Sequence, residues 1–302
     1  MTNSTIRVSL FAVILLATDA AAVEFKFAPP DGLECDQYLK TSSVTELKGI
    51  GDDVPKREDV SDSVAHAKYE KAPTGYKVKT TIKSVDMTRD GKPAVDPVSK
   101  LLAGREFTMD VQSNGKASDV HGYDDFIDAV LASVPAEVRT MVSKSLNADS
   151  MANREIMEWN SRVGDFVGKQ AEAGDVWEGD SEYPLPTGPV KFKSLTRISK
   201  IEDRAGHPIV TLNFTYAADG AATRKMMDDV QKGLKPLTKG IEVKIGEPSI
   251  QGTGERVIDA STMSIERESI SRTITMPMDV PEKGRATMVR TETHEYKFKC
   301  NK

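Results

Sequence analysis

Alternation of apolar and polar residues runs through much of the chain and predicts long β-strands. Between residues 76 and 87, Tyr76 and Val78 begin an alternation with lysine and threonine, the two-residue period of a sheet with one solvated side. Residues 105–112 repeat this pattern and lead into Asn114-Gly115, a dipeptide typical of tight hairpins. Short turns between successive strands favour antiparallel pairing. Further strands are predicted at 175–183, 190–202, 207–217, 241–251, 256–267, 269–278 and 285–299.

The apolar period changes to three and four residues after Gly122, which predicts helices in the middle of the chain. Phe126, Val130 and Val134 follow this period and form one helical face. Further helices are predicted from Pro135 to residue 146, at 151–163, and at 222–234. We therefore predict an α+β fold, a curved antiparallel sheet resembling a half-barrel. A helical insert at about 122–165 packs over one face.

The first 22 residues have the three-part layout of a secretory signal peptide. Arg7 precedes an apolar run at 8–17, and three alanines close the segment at 20–22. The run is too short to span a bilayer as a permanent anchor. We expect cleavage before Val23 and a periplasmic or secreted protein. The mature chain then divides into a polar, loosely ordered lead-in at 23–71 and a single domain at 72–302.

The two cysteines of the chain, Cys35 and Cys300, lie near opposite ends of the predicted mature protein. An even number of cysteines in an oxidising compartment favours a disulfide. The loop-entropy relation gives such a closure roughly 5 kcal/mol, and it would bring the two terminal segments side by side. Two buried free thiols are the alternative.

The net charge of −5 and the absence of a basic stripe argue against nucleic acid as a partner. The four histidines are scattered singly, without the spacing that places two imidazoles on one metal. There is no Gly-x-Ser-x-Gly motif, and Gly252-Thr253-Gly254 is interpreted as a turn before a strand. We therefore expect no catalytic residues, no cofactor and no metal. No later segment is apolar enough to cross a membrane.

Methionine is concentrated in the predicted C-terminal strands, at Met263, Met276, Met278 and Met288. Thioether side chains adapt their shape and are common where varied apolar ligands bind. Three interpretations compete: filling of the core, an adaptable apolar groove, and a Cu(I) site around the Met-Pro-Met sequence. Trp177 is expected to anchor its strand against the helices, with the lining of a cavity as a second role.

Three short motifs occur in a fixed order along the chain. They are Leu102-Ala103-Gly104-Arg105-Glu106-Phe107, a strand ending in Asn114-Gly115, and Gly174-Asp175-Val176-Trp177. From about Tyr76 onward, the pattern resembles a large group of uncharacterised bacterial secreted proteins and lipoproteins that share a Gly-Asp-x-Trp motif. This resemblance implies a half-barrel carrier of lipids or lipoproteins in the bacterial envelope. Many such proteins keep a lipid-attachment cysteine after the signal peptide, which this chain lacks, and the group offers no catalytic residues.

Together these features favour an exported protein that binds an apolar ligand or a protein partner on a concave sheet face. A lipid or a lipoprotein-like molecule is the expected ligand. The residues predicted to bind it are Met263, Met276, Met278, Met288 and Trp177. The alternative is a structural or interaction module that docks on an envelope protein and binds no small ligand.

Overall fold

A computed structural model describes residues 22–49, 56–94, 97–136, 139, 143, 146–183, 190–218, 220, 223–224, 244–280 and 284–301. The strands are β1 Val23–Glu24, β2 Glu34–Lys48, β3 Arg57–Ala72, β4 Gly75–Arg89, β5 Lys92–Ala94, β6 Glu106–Gln112, β7 Ala117–His121, β8 Gln170–Ala171, β9 Val176–Tyr183, β10 Val190–Arg204, β11 His207–Ala218, β12 Lys244–Ile245, β13 Ser249–Asp259, β14 Ser264–Val280 and β15 Gly284–Cys300. The helices are α1 Pro97–Leu102, α2 Tyr123–Ser133 and α3 Ala148–Trp159, and α3 continues into a π-helical turn at Asn160–Gly164.

One 13-stranded antiparallel sheet contains all of these strands except β1 and β8, which pair with each other. Its main order is β7-β6-β4-β3-β2-β15-β14-β13-β11-β10-β9. The first strand of this sheet in chain order, β2, therefore pairs with the last, β15. Cys35 lies directly opposite Cys300 in this ladder and forms a disulfide with it, which confirms the predicted bridge.

The sheet curves around one buried core, to which strands from both halves of the sheet contribute. Val78 on β4 and Leu212 on β11 belong to the same buried cluster, although five strands separate β4 from β11 in the sheet order. The segment after β1 fills the space between them. The Phe27 ring lies 5.2 Å from that of Tyr76 on β4, and the Phe25 ring lies 6.0 Å from that of Trp177 on β9. The predicted curved, unclosed sheet with an α+β composition is confirmed.

The face that carries this core is called the inner face, and it is recognisable along β15. Residues 291, 293, 295, 297 and 299 are exposed, whereas 292, 294, 296, 298 and 300 are buried or half-buried. Cross-strand register extends the same division to the neighbouring strands. The less accessible side chains therefore share the concave side of the sheet.

The inner face has two ends. The filled end holds the core cluster and the disulfide, near Cys300 on β15 and Ser264 on β14. The open end lies at the opposite termini of these strands, near Ala286 and Met278. Residues 159–167 add Trp159, Val163 and Phe166 to the filled end.

The helix α2 begins after Gly122 as predicted, whereas α3 begins at Ala148, three residues before the predicted start, and α1 was not predicted. Gly122 takes a left-handed conformation (φ 102°) before α2, and the Asn147 side chain caps α3 by accepting a hydrogen bond from the Ser150 amide at 2.8 Å. The α2 residues Phe126, Ile127 and Val130 are buried in a second cluster beside β6 and β7. The insert thus packs against one edge of the sheet.

Residues 23–71 differ from the loosely ordered lead-in that the sequence predicted. The structure has two long strands there, β2 and β3, in the middle of the sheet. Their serines, threonines and charged residues give little hydrophobic signal. Both strands are hydrogen-bonded on each side, so neighbouring strands specify them rather than their own composition.

The C-terminal strand boundaries also need correction. The predicted turn at Gly252-Thr253-Gly254 is wrong, because β13 runs through it without interruption. A Cβ at Gly254 would lie 2.3 Å from the Phe214 ring, and one at Gly252 would lie 2.4 Å from the Tyr216 ring. The glycines thus make room for aromatic rings of β11. The actual turn lies at 260–263, inside the strand predicted at 256–267.

Several predictions fall outside the described residues. These include the leader up to residue 21, most of the helix predicted from Pro135 to 146, and most of the helix predicted at 222–234. Within the part of the chain that the structure describes, no helix is long and apolar enough to cross a membrane.

Candidate functional site

The five residues predicted to bind a ligand divide between the two ends of the inner face. Met276 and Met288 are direct cross-strand partners at the open end, and Met278 follows two residues along β14. Met263 is 3% exposed at the turn after β13, where it belongs to the core cluster. Trp177 packs against that same cluster. The structure therefore brings three of the five residues together.

Trp177 has the packing role that we expected first. Its ring lies 6.0 Å from Phe25 and 5.8 Å from Phe166, and the Lys169 ammonium lies 5.0 Å above it. The strand β9 is thereby fixed against the segment that fills the core.

An apolar surface, the methionine patch, surrounds the three methionines at the open end. It consists of Leu47, Ile274, Met276, Met278 and Met288. All five side chains are half-buried. Leu47 lies opposite Met288 on β2, and Ile274 precedes Met276 on the same face of β14. The patch is thus continuous across β2, β15 and β14.

A charged cluster borders the methionine patch on the same strands. The Glu292 carboxylate accepts a hydrogen bond from Arg290 Nε at 2.6 Å and another from Arg272 Nε at 2.7 Å. Arg290 lies two residues before Glu292 on β15, and Arg272 lies directly opposite it on β14. One carboxylate is therefore held between two guanidinium groups.

The same construction recurs two strands away, around Asp59. Arg57 donates to Asp59 from Nε at 2.7 Å, and Arg89 donates from Nε at 2.8 Å. Arg57 lies two residues before Asp59 on β3, and Arg89 lies directly opposite it on β4. Ser43 on β2 lies between Asp59 and Glu292 in register. Together the six charged residues form the arginine site, which consists of Arg57, Arg89, Arg272 and Arg290 with Asp59 and Glu292.

Exposure differs sharply between the two signs of charge in the arginine site. The carboxylates of Asp59 and Glu292 are 17% and 8% exposed, whereas the four arginine side chains are between 35% and 53% exposed. The site therefore presents mainly guanidinium groups to the solvent.

Both carboxylates of the arginine site are held in the charged form. The His294 ring, whose Nε2 lies 3.8 Å from the carboxylate, together with the hydrogen bond and charge of Arg272 and the charge of Arg290, lowers the pKa of Glu292 to about 2. Burial acts to raise the pKa of Asp59, but hydrogen bonds from Arg57 and Arg89 outweigh it and lower that pKa.

A third carboxylate between two arginines lies deeper, beside the filled end. Glu268 accepts from Arg256 Nε at 2.8 Å and from Arg162 Nε at 2.8 Å, and its side chain is fully buried. Arg162 also stacks on the Tyr296 ring at 4.1 Å. Its arginines are enclosed, so this cluster ties the π-helical turn to the sheet and does not face solvent.

The arginine site was missed at the sequence level, although a weak signal exists. Arg57-Glu58-Asp59 and Arg290-Thr291-Glu292 both place an arginine and an acid two residues apart, hence on the same face of a strand. The second arginine of each group comes from a neighbouring strand. Only the register brings it into contact.

A groove of about 860 Å³ lies on the outer face, over β9, β10, β11, β13 and β14. Thr215, Thr253 and Ser271 stand in register across its floor, and Leu195 on its wall is 43% exposed. The groove and the methionine patch are on opposite faces of the sheet. Within the described ranges, no three His, Cys, Asp or Glu side chains are grouped to hold a metal.

Solved structures give only distant likenesses. Over 89% of this chain, lipovitellin matches with 8% identity and a TM-score of 0.47, and this chain spans about a quarter (25%) of the lipovitellin chain. DynF from the dynemicin biosynthesis pathway of Micromonospora chersina matches with 8% identity and a TM-score of 0.19, over 92% of this chain and 85% of the DynF chain. The ywiB protein of Bacillus subtilis matches with 11% identity and a TM-score of 0.12, over 87% of this chain and 92% of the ywiB chain. All three scores are too low to infer a common fold.

Sequence comparison identifies the family of this chain but gives no function. No curated protein matches the chain. A family profile described as "Family of unknown function (DUF6263)" matches residues 66–234, more than half of the chain. The match runs from the middle of β3 through the helical insert to beyond β11. The chain therefore belongs to this family of unknown function, DUF6263.

Proposed function

We propose that this protein binds an apolar ligand, such as a lipid, on the concave inner face of its sheet. The observation that carries the proposal is the methionine patch. Its five side chains form one half-buried surface on the inner face, outside both buried core clusters. Flexible thioethers next to branched aliphatic chains suit ligands of variable shape. We propose an exported, envelope location on the sequence evidence for a signal peptide, and the disulfide is compatible with it.

Paired substitutions on the two faces of the same strands test this proposal. Met276→Ala with Met288→Ala removes the centre of the methionine patch. Thr275→Ala with Val289→Ala changes the neighbouring cross-strand pair, which points to the outer face. Binding of the apolar fluorophore N-phenyl-1-naphthylamine would be titrated against both variants and the unmodified protein.

We expect the inner-face pair to weaken binding by about tenfold, because buried methylene area is lost at two contacts. The outer-face pair should leave the affinity unchanged. Equal affinities for both pairs, or no binding by the unmodified protein, would contradict the proposal. Native mass spectrometry of the exported protein, purified without detergent, would then identify the natural ligand by its excess mass.

A protein-docking function is the second candidate, and the outer-face groove supports it. Leu195 is a large apolar side chain exposed among hydroxyl groups, as at the edge of a protein interface. Leu195→Asp should then abolish recovery of one stoichiometric envelope protein in a pull-down. Recovery unaffected by the substitution would remove the groove from consideration.

A further inference from the structure

The arginine site and the methionine patch form one continuous surface on the inner face. Arg290 lies opposite Ile274, and the next inward-facing pair along the same strands is Met288 with Met276. Each such step along a strand is about 6.5 Å. The distance along β14 from Arg272 to Met278 is therefore about 20 Å, comparable to an extended fatty-acyl chain.

The local charge of this surface has the opposite sign to that of the chain. Four arginines and two carboxylates leave the arginine site with two formal positive charges, while the whole chain carries −5. The carboxylates lie beneath the arginines and are hydrogen-bonded to them. They orient the guanidinium groups while leaving an excess of cationic surface toward the solvent.

We propose that the ligand is an anionic amphiphile, whose headgroup binds at the arginine site while its hydrocarbon chain lies on the methionine patch. This inference rests on the proposed function and adds the class of headgroup. Guanidinium groups suit carboxylate and phosphate oxygens, because they donate several hydrogen bonds in one plane. Charge complementarity at one end and apolar contact at the other select such a ligand over a neutral lipid or a small anion.

The test compares three probes that separate the headgroup from the chain: hexadecanoate, hexadecanol and inorganic phosphate. Each is titrated against the unmodified protein and against Arg290→Gln, Arg290→Lys and Glu292→Gln. Arg267→Gln is the matched control, because Arg267 is an exposed arginine on the outer face of β14 that pairs with Glu255. Circular dichroism verifies that each variant is folded.

We expect the unmodified protein to prefer hexadecanoate over hexadecanol by about tenfold, the effect of one charge-assisted hydrogen-bonded contact. Arg290→Gln should remove most of this preference, and Arg290→Lys should retain part of it. Glu292→Gln should increase the preference, since it removes a competing carboxylate. Arg267→Gln should have no effect, and phosphate alone should bind far more weakly than hexadecanoate.

Each negative outcome of this test leads to a different conclusion. Equal affinity for hexadecanoate and hexadecanol would overturn the headgroup inference and leave apolar binding intact. Phosphate binding as tight as that of hexadecanoate would overturn it in favour of a small-anion site. No binding of either hydrocarbon probe would overturn both this inference and the proposed function. If Glu292→Gln does not fold, the two Arg290 variants decide the outcome.

Discussion

The two ends of the inner face are built from the same strands, yet they differ in what covers them. At the filled end, Leu212 and Ile258 on the sheet are fully buried beneath residues 23–28 and 159–167. At the open end, Met276 and Met288 stay half-buried. A curved sheet thus does not fill its own concave side. Segments outside the sheet cover the filled end of the inner face. The open end, which these segments do not reach, remains accessible.

The largest effect is expected from the disulfide, which closes the filled end. Replacing Cys35 and Cys300 with serine should lower the free energy of unfolding by up to roughly 5 kcal/mol, because the unfolded chain gains conformational freedom. Urea denaturation of the double variant and the oxidised protein measures this difference. A loss below about 1 kcal/mol would mean that the paired strands hold the ends together without the bridge.

The contrast between the ends is tested directly by two truncations. Phe25→Ala should cost about 4 kcal/mol of unfolding free energy, because it leaves a cavity in a fully buried cluster. Met276→Ala should cost only about 1 kcal/mol, since its side chain is already partly solvated. Denaturation midpoints of both variants provide the comparison. Equal losses would show that the open end is packed as tightly as the filled end.

Arginines on opposite faces of the sheet should also differ. Arg256→Gln should cost about 3 kcal/mol, because it leaves the buried Glu268 carboxylate with one of its two cations. Arg267→Gln, on the exposed outer face, should change stability by less than about 0.5 kcal/mol. Thermal unfolding at neutral pH distinguishes the two. A large effect of Arg267→Gln would contradict the assignment of its side chain to the solvated face.

Acid should weaken the open end through Glu292. Its folded pKa of about 2 lies below the ordinary value of 4.5, so its contribution is complete above pH 4.5 and is lost as the pH falls toward 2. After allowance for solvent screening, this contribution is on the order of 2 kcal/mol. The stability of Glu292→Gln should therefore fall less steeply with acid than that of the unmodified protein. If the stabilities of Glu292→Gln and the unmodified protein fall equally with acid, Glu292 is not the source of this pH dependence.

Local patterns predicted the parts of the fold that local chemistry determines. Asn114-Gly115 does form the turn between β6 and β7, with Gly115 at φ 78°. Asp90 and Gly91 likewise form the turn after β4. The strands β2 and β3 were not predicted as long strands because they lack an apolar period, and β2 also depends on β15, a partner distant in sequence.

The candidate site was predicted only in part, for a related reason. Methionine enrichment pointed to Met276, Met278 and Met288, but composition could not separate them from Met263, whose turn directs it into the core. The arginine site requires knowledge of which residues face each other across strands. A one-residue change of register would place Arg272 and Glu292 on opposite faces.

The β2–β15 ladder has a consequence for the order in which the protein folds. It joins residues 35 and 300, which are 265 positions apart, at the centre of the sheet. Local hairpins such as β3–β4 and β10–β11 can form early. In contrast, β2 and β14 can pair with β15, the strand that lies between them, only after this last strand has been synthesised. The edge of β2 that pairs with β15 therefore has no native partner until the end of translation.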